Sequence, residues 1–487
     1  MNPLWTLLPP LLVIPFIIFF GERRKNWREG SIIVAGLALL LINNLIYSDL
    51  MAGNTPQSGE FFLLADYTLK LSAEPMGVLF GLLASFLWVV TTVYSIGYMR
   101  GHHEVNQTRF YTCFAIALAA VMGAAYADNL LTLFVAYEVI TISTFPLVTH
   151  AGGDKARNAG RVYLGILMAT SIGLLLPAII WTQTAAGSMD FIPGGVLGDS
   201  GLSSLSLAIL LALFVFGIAK AGLMPFHRWL PAAMVAPTPV SALLHAVAVV
   251  KTGVFSILKI VVYTFGIDTI TVSGAAYWLL PVAGFTVIAA SIVAFTKDNL
   301  KARLAYSTIS QLAYIVMAAL LATVMSVSGG VLHIVMHAFG KITLFFCAGA
   351  VLVALHKSEI SKLDGIGWRM PITMGAFTVG ALSIIGLPPA GGMWSKLLIA
   401  GGSLDTGTIV WVLVLMISTL LNIAYLLPIP LRAFLRPDPE LAPGEKAVMQ
   451  EAPLACLWPI VLTAISCFVL FLYPKPLTEL IGLIQWR

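Results

Sequence analysis

Six charged side chains lie inside apolar stretches that are long enough to cross a membrane. They are one carboxylate and five lysines: Glu138, Lys220, Lys251, Lys259, Lys341 and Lys396. A charged side chain at the centre of a lipid-buried helix costs roughly 2.5–3.5 kcal/mol on insertion scales. Six such charges cannot all face lipid, so we expect them to face one another or water. Apart from Lys259, their central positions favour an intramembrane ion pathway over structural ion pairing.

Two histidines add titratable groups to this set. His333, His337 and Lys341 recur every four residues in HIVMHAFGK, so they lie along one face of a helix. Each step along this face is about 6 Å, a spacing across which a proton can pass through intervening water. A lone buried histidine is more often a hydrogen-bonded core residue, but this stripe of three predicts proton transfer. His245 precedes Lys251 by one and a half helical turns, so these two need not share a face.

Two residues of this region have a second interpretation. Lys259 lies toward one end of its predicted helix, where a long side chain can instead extend to the membrane surface. His227, in PFHRWLP, is expected at a loop or helix end, in a structural role.

Prolines interrupt two of the apolar stretches that carry lysines. Pro225 follows Lys220 by five residues, and the motif GLPP at 386–389 precedes Lys396 by seven. Proline removes a helical hydrogen bond, which a membrane tolerates only where protein or water satisfies the freed carbonyls. Paired broken helices of this kind are typical of transporters built from inverted repeats. The sequence places Lys220 before its break and Lys396 after the other.

Composition defines the class of protein. The chain has 487 residues, of which 59% are hydrophobic and 10% charged, whereas soluble domains carry about 25% charged residues. We therefore expect a polytopic helical membrane protein. The net charge of +5 does not indicate nucleic-acid binding, because the basic residues fall in short loops. The four cysteines form no CxxC pair, so we expect no disulfide framework, metal site or cofactor.

Fourteen apolar runs are close to the roughly 20 residues that span a bilayer. They lie near 3–20, 30–49, 75–99, 111–127, 129–149, 162–184, 206–225, 240–266, 275–296, 304–322, 326–353, 372–400, 406–431 and 453–473. The seventh and twelfth contain the breaks. These are five spans apart, and an odd offset reverses orientation, so spans 4–8 and 9–13 can form an inverted pair.

Loop charges test this count independently. The odd-numbered loops hold nineteen basic residues, whereas the even-numbered loops and the C-terminal tail hold three. Because cytoplasmic loops are enriched in Lys and Arg, the odd loops are predicted to be cytoplasmic. Both termini then lie on the outer side of the inner (plasma) membrane.

Several long motifs carry a family resemblance. They are KAGLMPFHRWLPAAMVAPTPVSALLHAVAVVKTG, KDNLKARLAYSTISQLAY, HIVMHAFGKITLFFCAG and GLPPAGGMWSK. In this order, and with their charged residues in place, they resemble the antiporter-like subunits of respiratory complex I, membrane-bound hydrogenases and Mrp-type Na+/H+ antiporters. The resemblance covers residues 75–430. It implies an all-α fold of about 14 transmembrane helices, with helices 7 and 12 broken inside two inverted five-helix repeats.

The resemblance also implies a division of the chain. Helices 1–3 occupy residues 1–110 and the first repeat, helices 4–8, occupies 111–266. The second repeat, helices 9–13, occupies 275–434, and helix 14 with its tail occupies 453–487.

The implied function is proton translocation within a multisubunit cation/proton antiporter, coupled to Na+ or another cation. The implied proton pathway consists of Glu138, Lys220, His245, Lys251, His333, His337, Lys341 and Lys396. The early end after span fourteen and the lysine in span twelve favour the D subunit of an Mrp-type antiporter. The alternative is a proton-pumping subunit of a complex I-type dehydrogenase or membrane-bound hydrogenase.

The expected partners are a paralogous antiporter-like subunit, small membrane subunits, lipid, protons and Na+. No catalytic site is expected in the chain itself, although it can belong to a redox-driven translocase. A quinone-binding or redox subunit fits less well, because the buried histidines lie beside lysines and no haem-ligation or nucleotide-binding pattern is present. The parent complex, the coupling cation, the transport direction and Na+ binding by this subunit stay open.

Overall fold

The chain folds almost entirely into helices. The structure, a computed structural model, describes residues 1–64, 67–442, 445 and 447–486, without the side chains of residues 62–64, 245 and 246. A 3-10 turn at Pro3–Leu7 leads into the first helix. The helices of the N-terminal half are α1 (Leu8–Phe20), α2 (Lys25–Met51), α3 (Pro75–Gly101), α4 (Gln107–Ala125), α5 (Leu130–Val148), α6 (Gly153–Thr170), α7 (Leu176–Ala186), α8 (Ser204–Gly217), α9 (Trp229–Ala232), α10 (Thr238–Ala246) and α11 (Val249–Ile260).

The C-terminal half is also helical. Its helices are α12 (Ile267–Ser273), α13 (Leu280–Thr296), α14 (Leu300–Leu320), α15 (Val324–Leu355), α16 (Pro371–Ile385), α17 (Gly392–Asp405), α18 (Ile409–Leu426), α19 (Pro428–Leu435), α20 (Leu454–Leu472) and α21 (Lys475–Gly482). Two π-helical turns, Ser171–Leu175 and Val261–Phe265, continue α6 and α11.

A short antiparallel hairpin interrupts this helical pattern between α2 and α3. Its strands are β1 (Phe61–Leu64) and β2 (Tyr67–Leu69), with Phe61 opposite Leu69. The sequence pattern does not predict this hairpin, which is too small to change the fold class.

The described helices confirm a multi-pass helical membrane protein. Ten helical segments in the described part of the chain are long and apolar enough to cross a membrane, and α8, α13 and α16 are shorter apolar helices. Helix α14 has 21 residues but is more polar, with Lys301 and Arg303 in its first turn. The count of fourteen spans stays a prediction.

The first break begins earlier than the sequence predicts. Helix α8 ends at Gly217, a 3-10 turn follows at Ala219–Ala221, and Gly222 takes a left-handed conformation with φ of 71°. Lys220 therefore lies inside the break, and the prediction that it precedes the break is wrong. Helical geometry is lost before Pro225, at residue 218. The Ala219 carbonyl accepts from the Gly222 amide and from the indole N–H of Trp229, at 2.9 Å each.

The second break separates α16 from α17. Helix α16 ends at Ile385, Gly386 has φ of 87°, and α17 resumes at Gly392. Lys396 follows this break, as predicted. Lys220 thus lies within its break, whereas Lys396 lies after its own.

The 32-residue helix α15 forms the centre of the packing. It contacts α10, α11, α14, α16, α17 and α20. Small residues allow these close approaches: a Cβ atom at Gly329 would lie 2.8 Å from the Ile399 amide nitrogen, and one at Gly340 would lie 2.9 Å from Ile384 Cδ1. Small residues at helix contacts are typical of membrane proteins. The histidines of α15 are thereby placed between both halves of the chain.

Candidate functional site

Lys220 is buried within the first break and is held by α5. Its ammonium donates to the Tyr137 carbonyl at 2.8 Å and to Thr141 Oγ1 at 2.6 Å. Its backbone N–H donates to the Tyr137 hydroxyl at 3.3 Å. These contacts satisfy a charge that would otherwise be unsolvated in the interior.

Glu138 lies on α5 between Tyr137 and Thr141 but forms no ion pair with this lysine. Both carboxylate oxygens are buried and have no hydrogen-bond partner among the described residues. Within the described part of the chain, no ion pair joins Glu138 to Lys220. The lysine instead uses Tyr137 and Thr141, which share one face of α5, whereas Glu138 is turned about 100° from Tyr137 around the helix.

Lys251 and His337 form the central contact of the site. The Lys251 ammonium on α11 contacts Nδ1 of His337 on α15, and both side chains are buried. Gly253, two residues after Lys251, packs against the first break, because a Cβ atom there would lie 2.5 Å from the carbonyl carbon of Lys220. The absence of a side chain at Gly253 therefore lets α11, the helix that carries Lys251, pack directly against the backbone of Lys220.

His333 continues the site from His337 toward α17. The two imidazole rings stack with centroids 5.8 Å apart, in agreement with the spacing expected for residues four apart. His333 Nδ1 lies 2.8 Å from Ser395 Oγ, and its Nε2 lies 3.1 Å from Gln311 Oε1. Both ring nitrogens are therefore engaged, and the site extends from α15 to both α17 and α14.

Lys396 stands at the far end of this chain of contacts. Its ammonium donates to the Ile385 carbonyl at 2.9 Å and lies 4.9 Å from the centre of the Tyr314 ring. That ring stacks on His333 with centroids 5.8 Å apart. The carbonyl end of a helix carries partial negative charge, so the C-terminus of α16 stabilises the ammonium.

Lys341 leaves the histidine stripe. Its ammonium donates to Ser307 Oγ at 2.5 Å and to the Leu304 carbonyl at 3.4 Å, both on α14. Tyr425 also donates to Ser307, at 2.8 Å. Spacing correctly predicts that Lys341 lies on the histidine face, but its long side chain turns toward the start of α14 and forms a separate branch.

The three remaining residues, His245, His227 and Lys259, lie in different surroundings. His245 is part of α10, but its side chain lies outside the described residues. His227 is half-buried in the turn before α9, with its ring 6.4 Å from that of Tyr306, as a structural residue would be. Lys259 does not extend to the surface: it is fully buried and pairs with Glu74 at 3.1 Å.

Sequence reasoning missed several partners of these groups. Tyr137, Thr141, Gln311 and Ser395 contact the charged residues, yet hydroxyl and amide residues are too common in helices to be singled out. Glu74 has a sequence signal, because an acidic residue directly before Pro75 and an apolar run is a helix N-cap pattern. Its pairing with Lys259 depends on a contact across 185 positions that spacing does not reveal.

Fold and site together define an antiporter-like membrane subunit, with ionisable side chains buried between its helices. The family model described as "NADH:quinone oxidoreductase/Mrp antiporter, TM" matches residues 127–422. The chain belongs to this family, which confirms the resemblance found in the sequence.

Curated relatives come from more than one kind of complex. The chain is 29% identical to "NADH-quinone oxidoreductase subunit N" of Desulforudis audaxviator, over 96% of both chains. It is 32% identical to "Hydrogenase-4 component B" of Escherichia coli over 69% of this chain, and there it spans about half of the relative, 51%. These relatives are subunits of multisubunit membrane complexes.

Solved structures share the fold along nearly the whole chain. A chain of the archaeal membrane-bound sulfane sulfur reductase superimposes with a TM-score of 0.84 at 22% identity, and one of the Mrp complex from Dietzia sp. with 0.82 at 19%. Both matches cover 99% of this chain and 96% of the other. At these identities the likeness concerns the fold.

Proposed function

We propose that this chain translocates protons as a subunit of a multisubunit cation/proton antiporter, coupled to Na+ or another cation. The observation that carries the proposal is the chain of buried contacts from Lys251 through His337 and His333 to Ser395, the neighbour of Lys396. Imidazole and amine groups exchange protons readily, and ionisable groups inside membrane spans mark proton relays.

The proposed switch is Glu138. A carboxylate within about 4–6 Å of an amine favours its charged form. In the arrangement described above, Glu138 is not paired with Lys220, and Lys220 is held by neutral oxygen atoms. Movement of Glu138 toward Lys220 retains the proton, and withdrawal releases it toward Lys251. Since these groups interact, their titrations are coupled.

The proposed route runs parallel to the membrane, from Lys220 through Lys251, His337 and His333 to Lys396. Lys341 is a side branch toward α14. The two broken helices support the proposal of two inverted five-helix repeats, because each half of the chain contains one interrupted helix with a lysine within or after its break. The repeat boundaries near residues 111–266 and 275–434 belong to this proposal.

A second candidate is a proton-pumping subunit of a complex I-type dehydrogenase or membrane-bound hydrogenase. It is favoured by the match to "NADH-quinone oxidoreductase subunit N", which extends over 96% of both chains. The buried site serves either candidate, and the candidates differ in what drives it. Purification of the complete complex from its native membrane separates them: proton uptake driven by a Na+ gradient indicates the antiporter, and uptake driven by NADH or hydrogen oxidation indicates the alternative.

The pathway is tested by proton flux in proteoliposomes that contain the complete complex. Lys220→Ala and Glu138→Gln should each lower the flux by about a hundredfold, the scale of a lost proton-transfer group. Lys155→Ala, at an exposed position of α6, is the matched lysine control and should leave the flux unchanged. Near-normal flux in Lys220→Ala with an assembled complex would contradict the proposal.

A further inference from the structure

A cavity with several charged and polar groups in its lining lies at the end of α11, away from the contacts between Lys251 and Lys396. It has a volume of about 370 Å³, and Glu74, Asp128, Lys259 and Tyr263 contribute to its lining. A polar space of this size holds several water molecules. The proposed route from Lys220 to Lys396 makes no use of it.

Lys259 connects this cavity to the interior. The lysine side chain is fully buried, whereas that of Glu74 is 18% exposed, and their charged groups lie 3.1 Å apart. The Lys259 ammonium also donates to the Ala127 carbonyl at 2.5 Å. The ion pair thus joins a buried amine to a carboxylate that solvent reaches.

Glu74 is held rigidly in this position. One of its oxygens accepts from the Gly77 amide at 3.0 Å, and the other accepts from the Met76 amide at 3.1 Å and from the Tyr263 hydroxyl at 2.8 Å. The start of α3 stabilises negative charge on this carboxylate. A fixed carboxylate keeps the Lys259 ammonium beside the cavity.

Polar groups continue along α11 between Lys259 and Lys251. Thr252, Ser256 and Lys259 are spaced i, i+4 and i+7, so they share one helix face. The buried Thr252 and Ser256 hydroxyls donate to carbonyls of the preceding turn, at 2.7 Å each, and retain lone pairs that accept further hydrogen bonds. Lys251 and Lys259 are about 12 Å apart along the helix axis. The Thr252 and Ser256 hydroxyls lie between the two lysine positions along this axis.

Two further features at the end of α11 suit proton exchange between Lys259 and the cavity. The π-helical turn Val261–Phe265 follows Lys259 directly and contains Tyr263; such turns occur frequently at functional sites. Asp128, in the loop between α4 and α5, lines the same cavity. Burial raises the pKa of the Asp128 carboxyl, and the nearby Lys259 and Lys70 act in the opposite direction. A partly buried carboxyl of this kind is a suitable proton acceptor.

We propose that Lys259 is a proton-exchange site, which connects the buried chain at Lys251 to the cavity lined by Glu74 and Asp128. This inference rests on the proposed function. In the step, an N–H bond of the Lys259 ammonium breaks and an O–H bond forms on cavity water or on Asp128. The neutral amine then takes up a proton as each hydroxyl of the Thr252–Ser256 face accepts one proton on a lone pair and releases its own toward Lys259. The Lys251 ammonium supplies the first of these protons and is left as a neutral amine. Glu74 keeps Lys259 beside the cavity through their ion pair.

The experiment must separate proton exchange from a structural ion pair. Replacing both members of a buried pair by neutral residues is often harmless to stability, whereas removing one leaves an unpaired charge. The double variant Lys259→Met/Glu74→Gln therefore retains assembly in either case. A proton-exchange site predicts a loss of proton flux of about a hundredfold in proteoliposomes with the complete complex. A structural pair predicts flux close to wild type, which would overturn the inference.

The matched control is Lys357→Met/Glu440→Gln, which neutralises another lysine–glutamate pair, at 2.8 Å. It should leave the flux unchanged. Lys220→Ala is measured in parallel. Normal flux in Lys220→Ala refutes the proposed function itself, whereas loss there with normal flux in the Lys259 double variant refutes this inference alone.

A second measurement leaves the ion pair intact. Thr55 is exposed and lines the cavity, so Thr55→Cys can be labelled with a bulky, membrane-impermeant thiol reagent after assembly. The label should reduce the flux severalfold, while the same label at the exposed position Thr184→Cys should not. Unchanged flux after complete labelling of Thr55→Cys would overturn the role of the cavity.

Discussion

At the scale of single residues, Lys220 and Lys251 have neutral hydrogen-bond partners instead of carboxylates. Lys251 meets an imidazole rather than a carboxylate, and Lys220 meets a carbonyl and a hydroxyl. A carboxylate partner favours the charged form of a lysine, so proton release is easier from Lys220 and Lys251 than from a paired lysine such as Lys259. Neutral partners satisfy the hydrogen-bonding groups and leave the protons free to move. His337 links Lys251 on α11 to His333 on its own helix, α15.

The residue-scale prediction concerns His337. His337→Ala removes the group between Lys251 and His333, so proton flux of the reconstituted complex should fall by about a hundredfold. His227→Ala is the histidine control, because His227 is half-buried in a turn outside the contact chain, and it should transport normally. A pH-sensitive dye in proteoliposomes measures both. Equal flux in the two variants would show that His337 is not a relay.

At the scale of elements, the breaks and glycines decide where charges can lie. The first break exposes backbone groups that Trp229 and Tyr137 satisfy. Gly253 lets α11 approach that break more closely than any residue with a Cβ atom would. Helix interruption and close packing therefore act together to place the backbone of Lys220 against α11, the helix that carries Lys251.

The element-scale prediction compares two helical glycines. Gly253→Ala introduces a Cβ atom 2.5 Å from the Lys220 carbonyl carbon, so we expect a stability loss of about 1–3 kcal/mol from overpacking. Thermal unfolding in detergent should show a lower Tm, with reduced proton flux.

Gly375→Ala on α16 is the matched control, because its Cβ atom meets nothing within 4 Å. This change should be neutral or stabilising by about 0.5–1 kcal/mol, the helix preference for alanine. A Tm of Gly253→Ala at or above that of Gly375→Ala would contradict the proposed close packing at Lys220.

At the scale of the whole molecule, two hydrogen bonds join loops that the predicted count of fourteen spans places on the same side of the membrane. The Ser72 amide donates to the Tyr126 carbonyl at 2.8 Å, which joins two even-numbered loops. The Leu300 amide donates to the Ser358 carbonyl at 2.9 Å, which joins two odd-numbered loops. The cavity at Lys259 belongs to the even group and the Lys341 branch approaches the odd group. The proposed proton path thus has polar groups that lead toward both groups of loops: the cavity at Lys259 on one side and the Lys341 branch on the other.

The whole-molecule prediction concerns orientation. The basic residues of the odd loops predict that the C-terminal tail is external and the loop near residue 445 cytoplasmic. Cys113, which is only partly buried, is first replaced by alanine. In intact cells, a membrane-impermeant maleimide should then label Gln485→Cys and not Glu445→Cys. The reverse pattern would overturn the predicted orientation.

The sequence by itself determined the class, the family and most charged residues of the candidate site. Lipid makes each buried charge expensive, so Glu138 and the buried lysines stand out in an apolar sequence. The four-residue spacing of His333 and His337 likewise sets their separation, since helix geometry is local.

Tertiary structure decided which of these groups meet. It paired Lys251 with His337, gave Lys220 the Tyr137 carbonyl and the Thr141 hydroxyl as hydrogen-bond partners, turned Lys341 toward α14 and joined Lys259 to Glu74. It also placed Lys220 within the first break rather than before it. Long flexible side chains and helix interruptions depend on contacts between distant segments, and those contacts are not encoded in local spacing.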